Sequence, residues 1–453
     1  MKLYQSKKII RFSVFSAYLI IIAALLPSCG VDEETAAVNE RNRRWVYDVE
    51  QMQEHILGSH PKFIFPLISS NPENIQLQQD FIERTASLLE NIPNLTELEI
   101  KAEIQRGIAL FRDNHFFFDG FTGWLSQMRL ERHPLEFARF DTGFYLIHAQ
   151  DDFKHALNLR VTAVNGIPIE DVFAEFTRFW SVETPYDAAF QFAHHLNAVK
   201  VLEAMGINDG ETTVYTLASP YGNLDITVNQ TVLWQRSATT LRWLPATTMI
   251  DNRSEGDLPM FWRNRSQNLW HEFIPEYGIL YVCIRAWVPS PDAFINAVEE
   301  TARQNSINAV IIDARGNPGG NAGLYVRLFD FLASSAPEGL LFYFVDGGSN
   351  SGTLNAAYML ENRGAVLLGQ PLGQFTSFYH FATGTPRAVT LNYSVLNIIV
   401  PSAYWNGERV YGRAPEDMIF RPHIKIKYSL EDWINNRDPL FDFVIYSITN
   451  ANR

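Results

Sequence analysis

The stretch from Ala309 to Gly369 constrains the fold of this chain more than any other. It reads AVIIDARGNPGGN, a helix-like segment, a short apolar run, GGSNSG, a second helix-like segment and AVLLG. Ala309–Ala314 has the pattern of a buried strand and stops abruptly at Arg315-Gly316-Asn317-Pro318-Gly319-Gly320. A strand feeding a glycine-rich turn exposes backbone N–H groups that no side chain obstructs. Leu340–Val345 reads as another strand and delivers Ser349, Asn350 and Ser351 to a turn. Leu354, Ala357, Tyr358 and Leu360 then follow at helical spacing. A serine at a strand-to-helix turn sits against the positive end of the helix, where a developing oxyanion is favoured. Nucleophile and oxyanion donors would meet at one edge of one sheet, which is the reason to expect an enzyme.

The neighbouring segments extend this pattern. Gly278–Trp287 reads as a strand, and Ser290-Pro291 opens a helix to about Gln304, with proline where a missing N–H costs least. Gln370-Pro371-Leu372-Gly373-Gln374 is a further glycine turn, Val389–Pro401 alternates like paired strands, and the apolar run Leu440–Ile448 suggests a closing helix. Strand–helix–strand alternation implies a largely parallel sheet covered by helices.

Upstream, the character changes. Lys7, Lys8 and Arg11 precede an apolar stretch, Phe12–Leu26, too short for a comfortable membrane span. Residues up to about Arg44 read as a tether. Between Arg44 and Asp119 the pattern is helical: Leu77, Phe81, Thr85, Leu88, Leu89 and Ile92 share a face, and Pro93 stops the helix. Thr96 with Glu99 forms a capping box for a second helix carrying Ile100, Ile104, Ile108 and Phe111. It ends at Arg112-Asp113-Asn114-His115, before three phenylalanines. Phe140 to about Val228 reads as short strands and turns, with an Asn165-Gly166 hairpin and an aromatic, helix-like insert at Phe173–Val199.

The 453 residues suffice for two or three domains, and 47% hydrophobic with 13% aromatic content marks a globular chain. A net charge of −13 argues against nucleic acid as a partner. Cys29 and Cys283 are the only cysteines, so no disulfide framework is available, and Cys283 reads as a small buried hydrophobe within Ile279–Ile284.

Two resemblances add to this reading. Leu26-Pro27-Ser28-Cys29-Gly30 resembles the lipobox of bacterial lipoproteins. That implies acylation of Cys29 and a lipid-anchored cell-envelope protein, held at the outer membrane without a transmembrane helix. Val31-Asp32-Glu33-Glu34 is similar to the surface-export signals of some Gram-negative lipoproteins. The second resemblance rests on Asp113-Asn114-His115, Val164-Asn165-Gly166-Ile167-Pro168, IIDARGNPGG, SNSG with its helix, VLLG and the final RPHIKI. In order and spacing this set resembles the C-terminal-processing and tricorn-core serine peptidase family, closest to small secreted or lipoprotein members that open with a His-Pro segment, here His60-Pro61.

The resemblance implies an α/β fold: a crotonase-like peptidase core, a helical N-terminal domain and a degenerate PDZ-like insert. The expected division is 1–29 signal peptide, 30–44 tether, 45–135 helical domain, 136–235 PDZ-like or scaffold region and 236–453 core. It implies peptide or protein substrates, no cofactor and no metal, with Ser351 as nucleophile and Gly352 together with Gly319 or Gly320 as oxyanion donors. The lysine that processing proteases place after the VLLG-type strand is absent from Pro371-Leu372-Gly373-Gln374. The tricorn branch uses a histidine from the helical region, which falls on His115 with Asn114 before it, backed by an acid that falls on Glu416, with Asp417 and Glu408 as rivals. His380 is the other histidine in reach and reads as structural. Two further readings are an esterase of α/β-hydrolase type, with GGSNSG as its elbow and His423 as its base, and a non-catalytic surface lipoprotein that binds peptide or glycan on a peptidase scaffold.

Overall fold

Three apolar runs, Ile279–Ile284, Ala309–Asp313 and Leu341–Val345, are buried at every residue. Such runs belong to parallel strands covered on both faces. In the computed structural model, which describes residues 33–122, 129–236, 243–245, 248–382, 387–412 and 414–451, they form the centre of a six-stranded sheet. Its order is Leu269–Ile274, Ile279–Ile284, Ala309–Asp313, Leu341–Val345, Val366–Gly369 and Ile424–Lys425, with only the first strand antiparallel.

The two-residue period of the strands divides two cores. Val282, Ile284, Val310, Ile312, Tyr343 and Val345 pack against the helices Asp292–Arg303, Val326–Ser335 and Gly352–Glu361. Tyr281, Cys283, Ile311, Phe342 and Phe344 face Leu440, Val444 and Ile448 of the helix Pro439–Ala451. Every parallel strand therefore ends at the same edge, where its loop is free to carry chemistry.

The N-terminal region is helical: Glu33–Ser59, Pro72–Asn91 and Glu97–Ala109, the last opened by the Thr96–Glu99 capping box. Residues 33–44 extend the first helix rather than forming a tether. Arg41 holds that end down by donating to the Ile92 and Leu95 carbonyls at the Pro93 break. An antiparallel sheet follows, in the order Leu135–Phe140, Gly143–Ala149, Arg160–Val164, Thr213–Ser219 and Gly222–Val228. Asn165 and Gly166, both at positive φ, turn Arg160–Val164 back onto Ile167–Pro168. The helices Ile169–Phe179 and Pro185–His195 account for the aromatic insert: Val172, Phe176, Phe179 and Phe192 are fully buried.

This sheet shares one continuous core with the N-terminal helices, from Trp45 to Val228. Position 135 is thus no break in packing. Among the described residues no helix is long and apolar enough to cross a membrane. Cys29 and the signal-like segment lie outside the described residues.

Candidate active site

The Ser351 side is built mainly within the core. Asp313, at the end of its strand, accepts from the Tyr281 hydroxyl and from the Arg315 guanidinium, and Arg315 also reaches Asp438 at the start of the closing helix. All three charges are buried, and the paired carboxylates hold the Arg315 pKa well above its ordinary range. This triad fixes where the glycine loop leaves the sheet. Asn317 then shapes the loop: its Oδ1 accepts from Gly319 N (2.8 Å), its Nδ2 donates to Ile284 O (2.9 Å), and its carbonyl accepts from Asn350 N (3.0 Å) and the Thr353 hydroxyl (3.1 Å).

The loop can come this close to the serine turn only because two side chains are missing. A Cβ on Gly319 would lie 2.5 Å from Ser351 Cβ, and one on Gly352 would lie 2.1 Å from the Gly320 carbonyl oxygen. Gly319 also sits at φ +121°.

Ser351 is the residue before the helix Gly352–Glu361 and has φ 52° and ψ −116°. A side-chain-bearing residue in that region is strained by about 1–3 kcal/mol and persists only where its surroundings impose it. Here they do. Ser351 N donates to Gln374 Oε1 (3.0 Å), Leu354 N donates back to Ser351 O (3.0 Å), and the preceding turn is closed by Ser349. Ser349 accepts from Asp346 N and donates to Ala314 O, both at 3.0 Å, so it is a buried structural hydroxyl. The strain lifts the Ser351 side chain into a cavity of about 1390 Å³ between the core and the antiparallel sheet.

The opposite wall supplies His115. Arg112, at φ 46°, ends the helix Glu97–Ala109 region and turns the chain toward the cavity. Asp113 Oδ1 accepts from the His115 backbone N–H (2.9 Å), and the loop is clamped to Ser181, which accepts from Asp113 N and donates to Asp113 O. His115 Nε2 lies 3.0 Å from Ser351 Oγ. Its ring stacks on Phe378 (centroids 5.6 Å apart, planes 17°) and meets the edge of Phe381. Burial lowers its pKa to about 4, only partly offset by the Asp113 charge, so the imidazole is neutral and able to accept a proton near pH 7.

No acid touches the other ring nitrogen: His115 Nδ1 is buried and meets no hydrogen-bond partner among the described residues. Glu416 does not take that role. It lies exposed in the turn that Met418 N closes on Pro415 O. Asp417 is paired with Arg421, and Glu408 is exposed in the short helix Gly407–Tyr411. The reason is local: the Asn406 cap and the Pro415 turn hold this segment against the solvent side of the core.

The carboxylates beside the base come from elsewhere. One ligating atom from each of Asp113, His115 and Glu183 lies within 4.8 Å of the others. Glu183 accepts from Asn114 N (3.3 Å), from Phe375 N (3.0 Å) and, in a short bond, from Gln374 Nε2. Gln374 in turn accepts from Ser351 N, so one buried carboxyl group ties together the His115 loop, the glycine turn and Ser351. Burial and the nearby Asp113 charge raise the Glu183 pKa well above the carboxylate range. Asp113 also faces His60 Nε2 at 3.5 Å, and His60, accepting Lys62 N at Nδ1, carries its proton at Nε2. The His-Pro segment is therefore a buried support for the base loop.

Glu183 was not legible in the sequence. It stands before a Thr-Pro helix start in a region read as scaffold, and no motif marks it. Gln374, by contrast, lies in the turn where processing proteases carry a lysine, and its amide uses both ends.

Of the remaining predicted residues, Gly320 and Gly352 border Ser351, but the Gly319 N–H is committed to Asn317 and is not an oxyanion donor. His380 lines the cavity, with its Nδ1 near Phe381 O (3.3 Å), and does not contact the serine. His423 receives Leu367 N (3.0 Å) and pairs with Glu361 (2.9 Å), so the esterase assignment of that residue as base fails.

No family model matches the sequence, and no curated protein sequence matches it. Solved structures do match by shape. Mature CPAF in complex with lactacystin superposes with a TM-score of 0.55 at 11% identity, covering 91% of this chain and all of that one (100%). A serine-to-alanine mutant of CPAF gives 0.58 at 10% identity, covering 91% and 98%, and mature CPAF alone gives 0.52 at 12%, covering 89% and 96%. The likeness is one of fold: this chain has the mixed α/β architecture with a helical N-terminal region seen in mature CPAF.

Proposed function

We propose that the chain is a serine peptidase of the C-terminal-processing and tricorn-core type, with a crotonase-like core and a degenerate PDZ-like sheet. The observation that carries this reading is the 3.0 Å contact between a buried, neutral His115 and a strained Ser351 at a helix N-terminus. Parallel strands ending at one edge support the core assignment, and the Asn165-Gly166 hairpin beside the helix Ile169–Phe179 supports the PDZ-like one.

The chemistry follows from the atoms present. His115 Nε2 takes the Ser351 hydroxyl proton as Oγ attacks a peptide carbonyl. The developing oxyanion is received by the Gly320 and Gly352 N–H groups, the latter the first of its helix and without an intrahelical acceptor. The proton on Nε2 then passes to the leaving amine, giving an acyl-enzyme on Ser351. Water, deprotonated by the same nitrogen, releases it. Asp113 and Glu183 hold the base loop in place, and the Asp113 charge favours the imidazolium that forms. Hydrolysis of a quenched-fluorescence peptide library by the wild-type protein, abolished in Ser351→Ala, tests this; equal turnover by the variant would reject it.

The lipid anchor at Cys29 belongs to the same proposal and rests on the Leu26–Gly30 motif and the basic, apolar segment before it. Cys29→Ser should release the protein from the membrane fraction or block its processing. Normal processing and membrane retention of that variant would reject the anchor.

A further inference from the structure

One end of the cavity that holds Ser351 is cationic. Lys425, in the last strand of the core sheet, and Lys427, two residues further on, both face the cavity, while Ile424 and Ile426 pack into the core beneath the closing helix. Lys425 pairs with Gly369 at the carboxyl-terminal edge of the parallel strands, where open sheets of this kind bind ligands. Both lysines line the same cavity as Ser351 and His115.

Neither ammonium has an anionic partner among the described residues. Lys425 Nζ lies instead 5.7 Å from the centre of the Tyr186 ring, which the helix Pro185–His195 presents from across the cavity. The other charges of the cavity wall are largely committed. Arg265 and His148 pair with Glu136, Arg315 with Asp313 and Asp438, and Asp346 with the N–H groups of Gly316 and Gly348. Asp141, the remaining carboxylate of the lining, is on the hairpin turn at the opposite sheet. Two cations without an anionic partner thus line the cavity that holds Ser351, joined in that lining by Arg139, which lies over the Phe144 ring, in a chain whose net charge is −13.

We infer that the preferred substrates are peptides carrying an aspartate or glutamate side chain near the scissile bond, its carboxylate received between Lys425 and Lys427. This rests on the peptidase reading. A lysine pair in a solvated wall recognises a carboxylate as two point charges without bidentate geometry, so the preference is one of charge and weakens as salt rises.

The test is a set of quenched-fluorescence peptides of one sequence, C-terminally amidated, with Glu, Gln or Lys at each position flanking the cleaved bond. The neutral peptide is also made with a free C-terminus. In the wild type, kcat/KM for the best Glu peptide should exceed its Gln counterpart by roughly five- to tenfold at low salt, and the ratio should fall toward unity by about 0.5 M salt. In the doubly substituted Lys425→Glu/Lys427→Glu protein the Glu-over-Lys order should reverse. Equal rates for Glu and Gln peptides, or a preference that follows only the free C-terminus, overturn the proposal while leaving the peptidase reading intact. Peptide binding to Ser351→Ala, followed by fluorescence anisotropy, separates the two ideas. If no peptide is cleaved but the Glu peptide binds several-fold tighter than the Gln one, the cationic site stands and the peptidase reading falls.

Discussion

The two sides of the cavity are built differently. The Ser351 side lies mainly in the core, and the groups that set its backbone are partnered: Asp313 with Tyr281 and Arg315, Asn317 with Gly319 and Ile284, Ser349 with Asp346 and Ala314. The His115 side is assembled from three separate segments, and among the described residues the buried His115 Nδ1 has no hydrogen-bond partner there. The difference teaches that the strained Ser351 turn is shaped mostly by bonds inside the core, with Gln374 as its link to Glu183 outside it. The base is held only while the helical region, the Ser181–Asp187 segment and the Gln374 turn stay docked on one another.

Substitutions on the nucleophile side should have the largest effects. Ser351→Ala is expected to lower kcat by about three to six orders of magnitude. Ser351→Gly should be equally inactive yet more stable, by about 1 kcal/mol in denaturant unfolding, because glycine occupies the observed backbone angles without strain. A destabilised Ser351→Gly would mean that the strain is not real. Gly352→Ala comes next. Its methyl group would press on the Gly320 carbonyl and part the two oxyanion donors. Loss of one such donor costs roughly 10²–10³ in kcat, and an active Gly352→Ala would place the oxyanion elsewhere.

The base side should respond more mildly. Glu183→Gln cannot accept at every site that the carboxylate serves, since its NH₂ group faces one of the Asn114, Phe375 or Gln374 donors. A fall of about ten- to a hundredfold in kcat, with KM little changed, is the expected result of a misaligned base. If KM rises instead and kcat is kept, Glu183 serves substrate binding and not the catalytic pair. The smallest effect is in the pH profile. Because burial holds the His115 pKa down to about 4, the base is neutral above that value and is lost as pH falls through it. The acid limb of kcat/KM should therefore lie near pH 4, well below the ~6.5 of a free imidazole. A limb centred at 6–7 would indicate a solvated base.

The same contrast explains what could be read from the sequence. Everything on the nucleophile side is local: a continuous apolar strand, a glycine turn, a second strand and a serine before a helix can be read in order, because each element depends on its own residues. Thr96–Glu99, Asn165-Gly166 and the helix Asp292–Arg303 were legible for the same reason. Glu416 reads as the acid from its position in the chain alone, yet no acid bonds His115 Nδ1 among the described residues; and nothing in the residues around Glu183 shows that a loop between two scaffold helices will fold against a turn 191 positions later. Gln374 misled in the opposite direction. As a missing lysine it looked like a loss, whereas in the fold its amide links Ser351 to Glu183. Residues 33–44 looked like a tether because their helix is fixed by a distant contact, from Arg41 to Ile92 and Leu95.

The central claim is that His115 activates Ser351. It is tested most directly by the rate at which a fluorophosphonate probe acylates the protein, with the modified residue located by peptide mass spectrometry, in the wild type and in His115→Ala. The account predicts a single adduct on Ser351 and a labelling rate at pH 7 at least about a hundredfold lower in His115→Ala, in line with the ~10²–10⁴ contributed by a general base. An adduct on Ser349, or a His115→Ala protein labelled as fast as the wild type, would contradict it.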